Sequence, residues 1–120
     1  MKATMFDRYG GFAIVHKVVL AFYDKVLDSD VIGPFFDDVD MRRLADHQTK
    51  FISQVMGGPA SYTNEVLAQM HRNLAIDQPA FDEMARLLEE TLREFDFEPD
   101  DVKQIMADIK SRQPYIVTAP

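Results

Sequence analysis

Residues 40–59 read DMRRLADHQTKFISQVMGGP, and this stretch carries the clearest helical pattern in the chain. Its apolar residues, Leu44 and Phe51 among them, recur at spacings of three and four, which puts their side chains on one face of an α-helix. Asp40 is a favourable N-cap residue, and the closing Gly-Gly-Pro cannot continue a helix. The stretch therefore predicts one amphipathic helix with defined ends.

The same helical spacing continues on both sides of this stretch. Further helices are predicted over about residues 13–27, 66–74, 79–95 and 99–109. A double glycine at 10–11 predicts a tight corner before the first long helix, and the tail after Pro114 is expected to be loosely held. Because no stretch alternates with period two over a useful length, the predicted fold is all-α, in a single domain covering residues 1–120.

Composition excludes several classes of function. The 120 residues are 47% hydrophobic and 28% charged, ordinary values for a globular protein, and contain no Cys, which excludes disulfides and thiolate metal sites. Twenty acidic residues against thirteen basic ones give a net charge of −7, which disfavours nucleic acids and anionic membranes as partners. The sequence shows neither a signal peptide nor an apolar run of the about 20 residues that a membrane helix needs. We therefore expect a cytoplasmic protein.

Four polar residues interrupt or border the apolar faces of the predicted helices. Gln48 lies at the centre of the face described above, and His47 borders it. His71 and Tyr23 stand at helical spacing from apolar neighbours on their own segments. An amide, imidazole or phenol buried without a partner costs about 1–3 kcal/mol. Several such groups pointing inward indicate either a mutual network or a polar ligand.

Each of these residues also has a plainer interpretation. A histidine on a helix face is more often satisfied or half-exposed than a metal ligand, and a tyrosine at a helix edge usually reaches water with its hydroxyl. His16 is predicted to lie on the polar side of the first long helix. No nucleophile elbow, Walker motif or dinucleotide fingerprint is present in the sequence. The residues taken singly leave the choice open.

Nine short motifs follow one another in a fixed order along the chain. They are RYGG at 8–11, FYDKVL at 22–27, PFF at 34–36, VDM at 39–41, HQ at 47–48, Phe51, GGP at 57–59, YT at 62–63 and MHRNL at 70–74. With this order and spacing, residues 6–117 resemble a group I truncated globin. The family is built as a two-over-two helical sandwich around haem, so the resemblance implies haem b as the cofactor.

The resemblance assigns roles to the polar residues. His71 matches the proximal histidine that binds haem iron, with its other ring nitrogen donating to a carbonyl. Tyr23 and Gln48 match the distal pair that donates hydrogen bonds to a bound diatomic ligand, and they are the expected catalytic residues. Phe36 matches the phenylalanine that wedges against the porphyrin. Leu44 occupies the place where many globins carry a distal histidine.

The resemblance also implies the surroundings of the cofactor. The candidate apolar walls are Phe51, Ile52, Met70, Leu74, Phe81 and Met84. The candidate partners of the haem propionates are Lys50, Arg72 and Tyr62, which are alternatively ordinary surface residues. The C-terminal part contains no histidine, so the covalent histidine–haem link of some relatives is not expected here.

His47 decides between two expected functions. The first is reversible binding of dioxygen and other diatomic ligands, nitric oxide and carbon monoxide among them. It leaves open a nitric oxide dioxygenase activity, which would need a separate reductase. In some relatives a histidine at the place of His47 binds iron as a sixth ligand, and a six-coordinate site held by His71 and His47 would suit a redox or ligand-sensing protein. Otherwise His47 stays at the solvent edge or meets a propionate. A third alternative is an all-α interaction module without a cofactor.

Overall fold

The regular secondary structure is entirely helical over the residues that the computed structural model describes, which are 4–59, 63–71 and 75–117. In chain order the elements are α1 (Met5–Tyr9), α2 (Phe12–Asp28), a 3₁₀ turn (Gly33–Phe36), α3 (Met41–Val55), α4 (Asn64–His71), α5 (Gln78–Glu94), α6 (Pro99–Ser111) and α7 (Gln113–Ile116). These ranges contain no β-strand, and none of their helices is long and apolar enough to cross a membrane. The all-α prediction is confirmed.

Aspartate side chains cap the starts of two long helices, and the sequence indicated the first of them, Asp40. The carboxylate of Asp40 accepts a hydrogen bond from the Arg43 backbone N–H at 3.2 Å and so caps α3. In the same way Asp77 accepts from the Ala80 N–H at 3.0 Å at the start of α5. Each cap satisfies a backbone donor that the first helical turn leaves without a partner.

Gly58 explains why the Gly-Gly-Pro sequence follows α3. A Cβ atom at this position would lie 2.7 Å from the ring of Phe6, so only glycine fits beneath α1. The Phe6 N–H donates to the Met56 carbonyl oxygen at 2.9 Å, which ties α1 to the end of α3. The motif therefore ends α3 and provides the surface on which α1 packs.

Two pairs of helices form the body of the fold. α2 packs on α3, and α5 packs on α6; contacts of α2 with α5 and of α3 with α6 join the two pairs. Apolar side chains from these helices are almost fully buried between them, and they include Val15, Val18, Phe81, Leu92, Val102 and Ile105. α4 and α7 contact each other beside this body.

The tail after Pro114 is more ordered than the sequence indicated. Gln113–Ile116 forms α7, and the Ile116 side chain is buried. Pro114 lies in the first turn of this helix, where a proline costs no hydrogen bond and fixes a helical φ. The prediction of a loose tail was wrong for these residues because burial of Ile116 holds them.

A charged cluster fastens α1 to the start of α6. Both carboxylate oxygens of Asp101 accept hydrogen bonds at 3.1 Å from the Arg8 guanidinium, and one also accepts from the Tyr9 hydroxyl at 2.6 Å. The Tyr9 oxygen in turn accepts from the Glu98 N–H at 2.9 Å, and its ring stacks on Phe97 with centroids 3.9 Å apart. Asp101 is buried, so its charge depends on these donors.

We expect Asp101→Asn to lower the free energy of unfolding by about 2 kcal/mol at neutral pH, the scale of hydrogen bonds to a charged group. Arg8 and Tyr9 hold the pKa of Asp101 below its ordinary value. This contribution to stability is therefore complete above the unfolded-state pKa of about 4 and is lost as the pH falls through the folded-state value. Denaturant unfolding from pH 7 to pH 2 measures both effects. Asp100→Asn, at the exposed neighbouring residue, is the control; an equal loss in both variants would contradict the assignment.

Candidate functional site

A cavity of about 330 Å3 lies between the helix pairs. Its walls are almost entirely apolar, and its polar side chains among the described residues are Tyr23, Gln48 and His71. All four predicted apolar wall residues whose side chains are described line it: Phe51, Ile52, Phe81 and Met84. Phe36 and Leu44, predicted in other roles, line it as well. Such a cavity suits a largely apolar ligand that is oriented by a few polar groups.

His71 is the last residue of α4 and is half-buried at the cavity wall. Its Nδ1 lies 2.7 Å from the Leu67 carbonyl oxygen, one helical turn earlier. Because a carbonyl oxygen only accepts, Nδ1 carries the proton in this hydrogen bond and Nε2 carries the ring's lone pair. This tautomer is the one required of a histidine that binds a metal through Nε2.

Tyr23 enters the cavity from α2 and is only 7% exposed. Its ring makes an edge contact with Phe36, with centroids 6.0 Å apart, and a tilted contact with Phe22 at 5.2 Å. Burial raises the pKa of the Tyr23 phenol well above its ordinary value, so the hydroxyl keeps its proton. Among the described residues the hydroxyl finds no hydrogen-bond partner, so its proton can serve a ligand in the cavity.

Gln48 reaches the cavity from α3, one turn after Leu44. Its side chain is half-buried, and within the described ranges its amide forms no side-chain hydrogen bond. An amide group supplies two N–H donors. Tyr23 and Gln48 thus bring a phenol and an amide donor to one cavity from two different helices.

Two other predicted residues of α3 lie away from the cavity. His47 is half-buried but does not line the wall. Lys50 is exposed, does not line the wall either, and pairs with Asp46 at 3.4 Å. His16 is exposed on α2, as the sequence predicted, with its Nδ1 3.3 Å from the Thr49 hydroxyl.

Four predicted site residues fall, as whole residues or by their side chains, outside the part of the chain that the structure describes. Tyr62, Arg72 and Leu74 lie outside the described residues, as does the side chain of Met70. The two propionate candidates among them, Tyr62 and Arg72, stay predictions from the sequence.

Several residues that line the cavity were not predicted from the sequence. Val39 and Ile76 come from connecting segments, and Ile109 and Ile116 come from α6 and α7. Val39 and Ile76 stand in segments without helical spacing. Ile116 stands in the tail that was expected to be loose, although its apolar side chain after a proline was a signal of a short buried helix.

The side chains that could bind a metal at this cavity are few. The described residues contain no cluster of three or more His, Asp or Glu able to hold a metal ion, and His71 is the one histidine among them that lines the cavity. A metal at this place needs its remaining ligands from a group that it arrives with. A porphyrin brings four nitrogen ligands and a flat apolar surface, so the cavity and its single imidazole fit haem.

Comparison with known proteins agrees with this chemistry. The family model described as bacterial-like globin matches residues 4–117. The chain belongs to the bacterial-like globin family. Globins are haem proteins. This globin is 31% identical over 116 residues to the group 1 truncated haemoglobin GlbN of Mycolicibacterium paratuberculosis, covering 97% of the chain and 85% of that protein.

The solved structures place this globin within the family. The two-over-two haemoglobin of Synechococcus sp. PCC 7002, solved in the cyanomet state with covalently attached haem, superposes with a TM-score of 0.88 at 25% identity. The match covers 96% of this chain and 98% of the other. Chlamydomonas reinhardtii THB1 gives a TM-score of 0.81 at 32% identity, covering 94% of this chain and 95% of the other. This globin therefore has the two-over-two fold of the group I truncated haemoglobins, as its motifs indicated.

Proposed function

We propose that this globin holds haem b in the cavity through His71 and reversibly binds dioxygen beside Tyr23 and Gln48. One observation carries the proposal. A histidine with its Nδ1 2.7 Å from a backbone carbonyl shares an apolar cavity with a buried, protonated tyrosine. Bound haem supplies an iron that takes a diatomic gas and can pass one electron.

The hydrogen bond of His71 prepares the imidazole for its role. Donation from Nδ1 to the Leu67 carbonyl oxygen fixes the ring plane and makes Nε2 more basic. Because Leu67 and His71 lie in the same helix, the imidazole moves together with α4. His71 would therefore meet the iron of a bound haem as a ligand that is already oriented.

Tyr23 and Gln48 supply hydrogen-bond donors, which favour dioxygen over carbon monoxide as the bound gas. Dioxygen draws electron density when it binds, so neutral N–H and O–H donors beside it slow its release. The raised pKa of Tyr23 keeps the phenol a donor throughout the physiological pH range. Carbon monoxide gains less from these donors because it takes on less charge.

The apolar wall has a protective role in this proposal. Phe36, Leu44 and Phe81 line the cavity around the two donors. Their side chains exclude water, whose entry would promote oxidation of ferrous iron. Reversible binding of dioxygen depends on this exclusion as much as on the hydrogen bonds.

We further propose that the same site converts nitric oxide and dioxygen to nitrate. Each conversion draws one electron from the site, and the chain carries no flavin or nicotinamide motif, so a separate reductase must return that electron. Rapid mixing of the dioxygen-loaded protein with nitric oxide tests the idea. Nitrate formed in equal amount to the protein, with conversion to the ferric state, is expected; slow or absent nitrate would limit the function to gas binding.

His47 provides the sharpest test of an open distal side. Because His47 does not line the cavity, we expect the ferrous, ligand-free protein to give a five-coordinate absorption spectrum that His47→Ala leaves unchanged. A low-spin spectrum that this substitution converts to an open-site spectrum would favour the six-coordinate alternative with His71 and His47. No haem band after hemin addition would contradict the proposed function itself.

A further inference from the structure

We infer that Arg112 is a positioning residue for His71, acting through the first residue of α4. The inference rests on the proposed function, in which His71 binds the cofactor. Arg112 lies between α6 and α7 and does not line the cavity. Its guanidinium joins α4, the helix that carries His71, to α6 and α3.

α4 needs such an attachment because it is short. Its eight residues span about 12 Å at 1.5 Å per residue, too short to be stable alone in water. Thr63 caps it locally, with its hydroxyl oxygen accepting from the Val66 N–H at 3.1 Å. Leu67 is its buried apolar anchor among the residues whose side chains are described.

Arg112 supplies a polar attachment at the far end of α4 from His71. Its Nη1 donates to the Asn64 side-chain oxygen at 3.2 Å. Its Nε donates to Asp108 at 2.7 Å, which fixes the guanidinium on α6. Asn64 and His71 stand two helical turns apart on the same face of α4, so a displacement of the first turn is carried to the imidazole.

The same guanidinium also contacts α3. It lies 5.2 Å from the ring centroid of Phe51, a buried residue of α3 that lines the cavity. The side chain of Arg112 is only 17% exposed, so the cation–π contact is partly shielded from water. Arg112 thus fixes the spacing between α3, which carries Gln48, and α4, which carries His71.

Residues 113–116 add to this attachment. The Gln113 side-chain N–H donates to the Gln78 amide oxygen at 2.7 Å, which joins α7 to the start of α5. Ile116 is buried and lines the cavity together with His71. Arg112 therefore stands at the start of a segment that contacts α4 and lines the cavity.

The test compares Arg112→Leu and Asn64→Ala with the wild-type protein, all loaded with hemin. We expect each substitution to speed haem loss to a scavenger protein by about 10-fold, the scale for partners that orient a metal ligand. We expect a shift of the iron–histidine stretching band in the ferrous state and faster amide hydrogen exchange in α4. Because both act through one bond, the double variant should be no worse than Arg112→Leu.

Two controls separate positioning from general stability. Arg93→Leu removes an exposed arginine of α5 that pairs with Glu89 and should change none of the readouts. Asp101→Asn destabilises the distant α1–α6 contact and should leave the iron–histidine band in place. If wild-type protein binds haem and the Arg112→Leu and Asn64→Ala bands are unshifted, the inference is wrong; if wild-type protein binds no haem, the proposed function is wrong.

Discussion

His71→Gly should lower the affinity of the protein for hemin by more than about 100-fold, because it removes the ligand itself rather than a residue that orients it. His71 is the one described histidine that lines the cavity, and the described residues offer no cluster of metal-ligating groups to replace it. Hemin titration followed by absorbance measures the loss. The apolar walls are unchanged, so residual weak binding is expected to be non-specific.

Addition of imidazole distinguishes loss of the ligand from loss of the fold. The glycine variant leaves a space beside Leu67 in which a soluble imidazole can bind iron and donate to the same carbonyl. We therefore expect millimolar imidazole to restore the haem spectrum. His16→Ala removes an exposed imidazole from α2 and is the matched control. Unchanged hemin affinity in His71→Gly would overturn the proposal that His71 is the iron ligand.

The helices of this globin could be predicted because their determinants are local. Asp40 was recognisable as a cap of α3, and the Gly-Gly-Pro after α3 as its end. α7 was missed because its stability comes from burial of Ile116 against residues distant in the sequence. A four-residue helix has too few positions to show a periodic pattern.

The site was predictable to the extent that polar residues interrupted apolar faces. Tyr23, Gln48 and His71 stood out in this way, and the structure brings all three to one cavity. His47 shows the limit of the method, since helical spacing alone could not decide whether it faces the cavity or its edge. The contacts of Arg112 with Asn64 and Phe51 join three separate segments, and no pattern within one segment indicates them.

Tyr23→Phe should speed the dissociation of dioxygen by about 10- to 100-fold, the effect of losing a hydrogen bond of about 1.5–3 kcal/mol to a charged acceptor. Phenylalanine keeps the ring, so the contacts with Phe36 and Phe22 are retained. The lost group is a hydroxyl that finds no partner among the described residues, so the folded protein loses little stability. Stopped-flow displacement of dioxygen by carbon monoxide gives the rate.

Comparison of ligands and variants shows whether the effect is electrostatic. Dissociation of carbon monoxide, which takes on less negative charge, should change much less than that of dioxygen. Tyr115→Phe, at an exposed tyrosine, should change neither rate. If Gln48 donates to the same ligand, the effects of Tyr23→Phe and Gln48→Leu should be coupled rather than additive, because each donor orients the ligand for the other. Equal acceleration of both gases would instead mean that Tyr23 acts by filling space, and its role as a donor would be wrong.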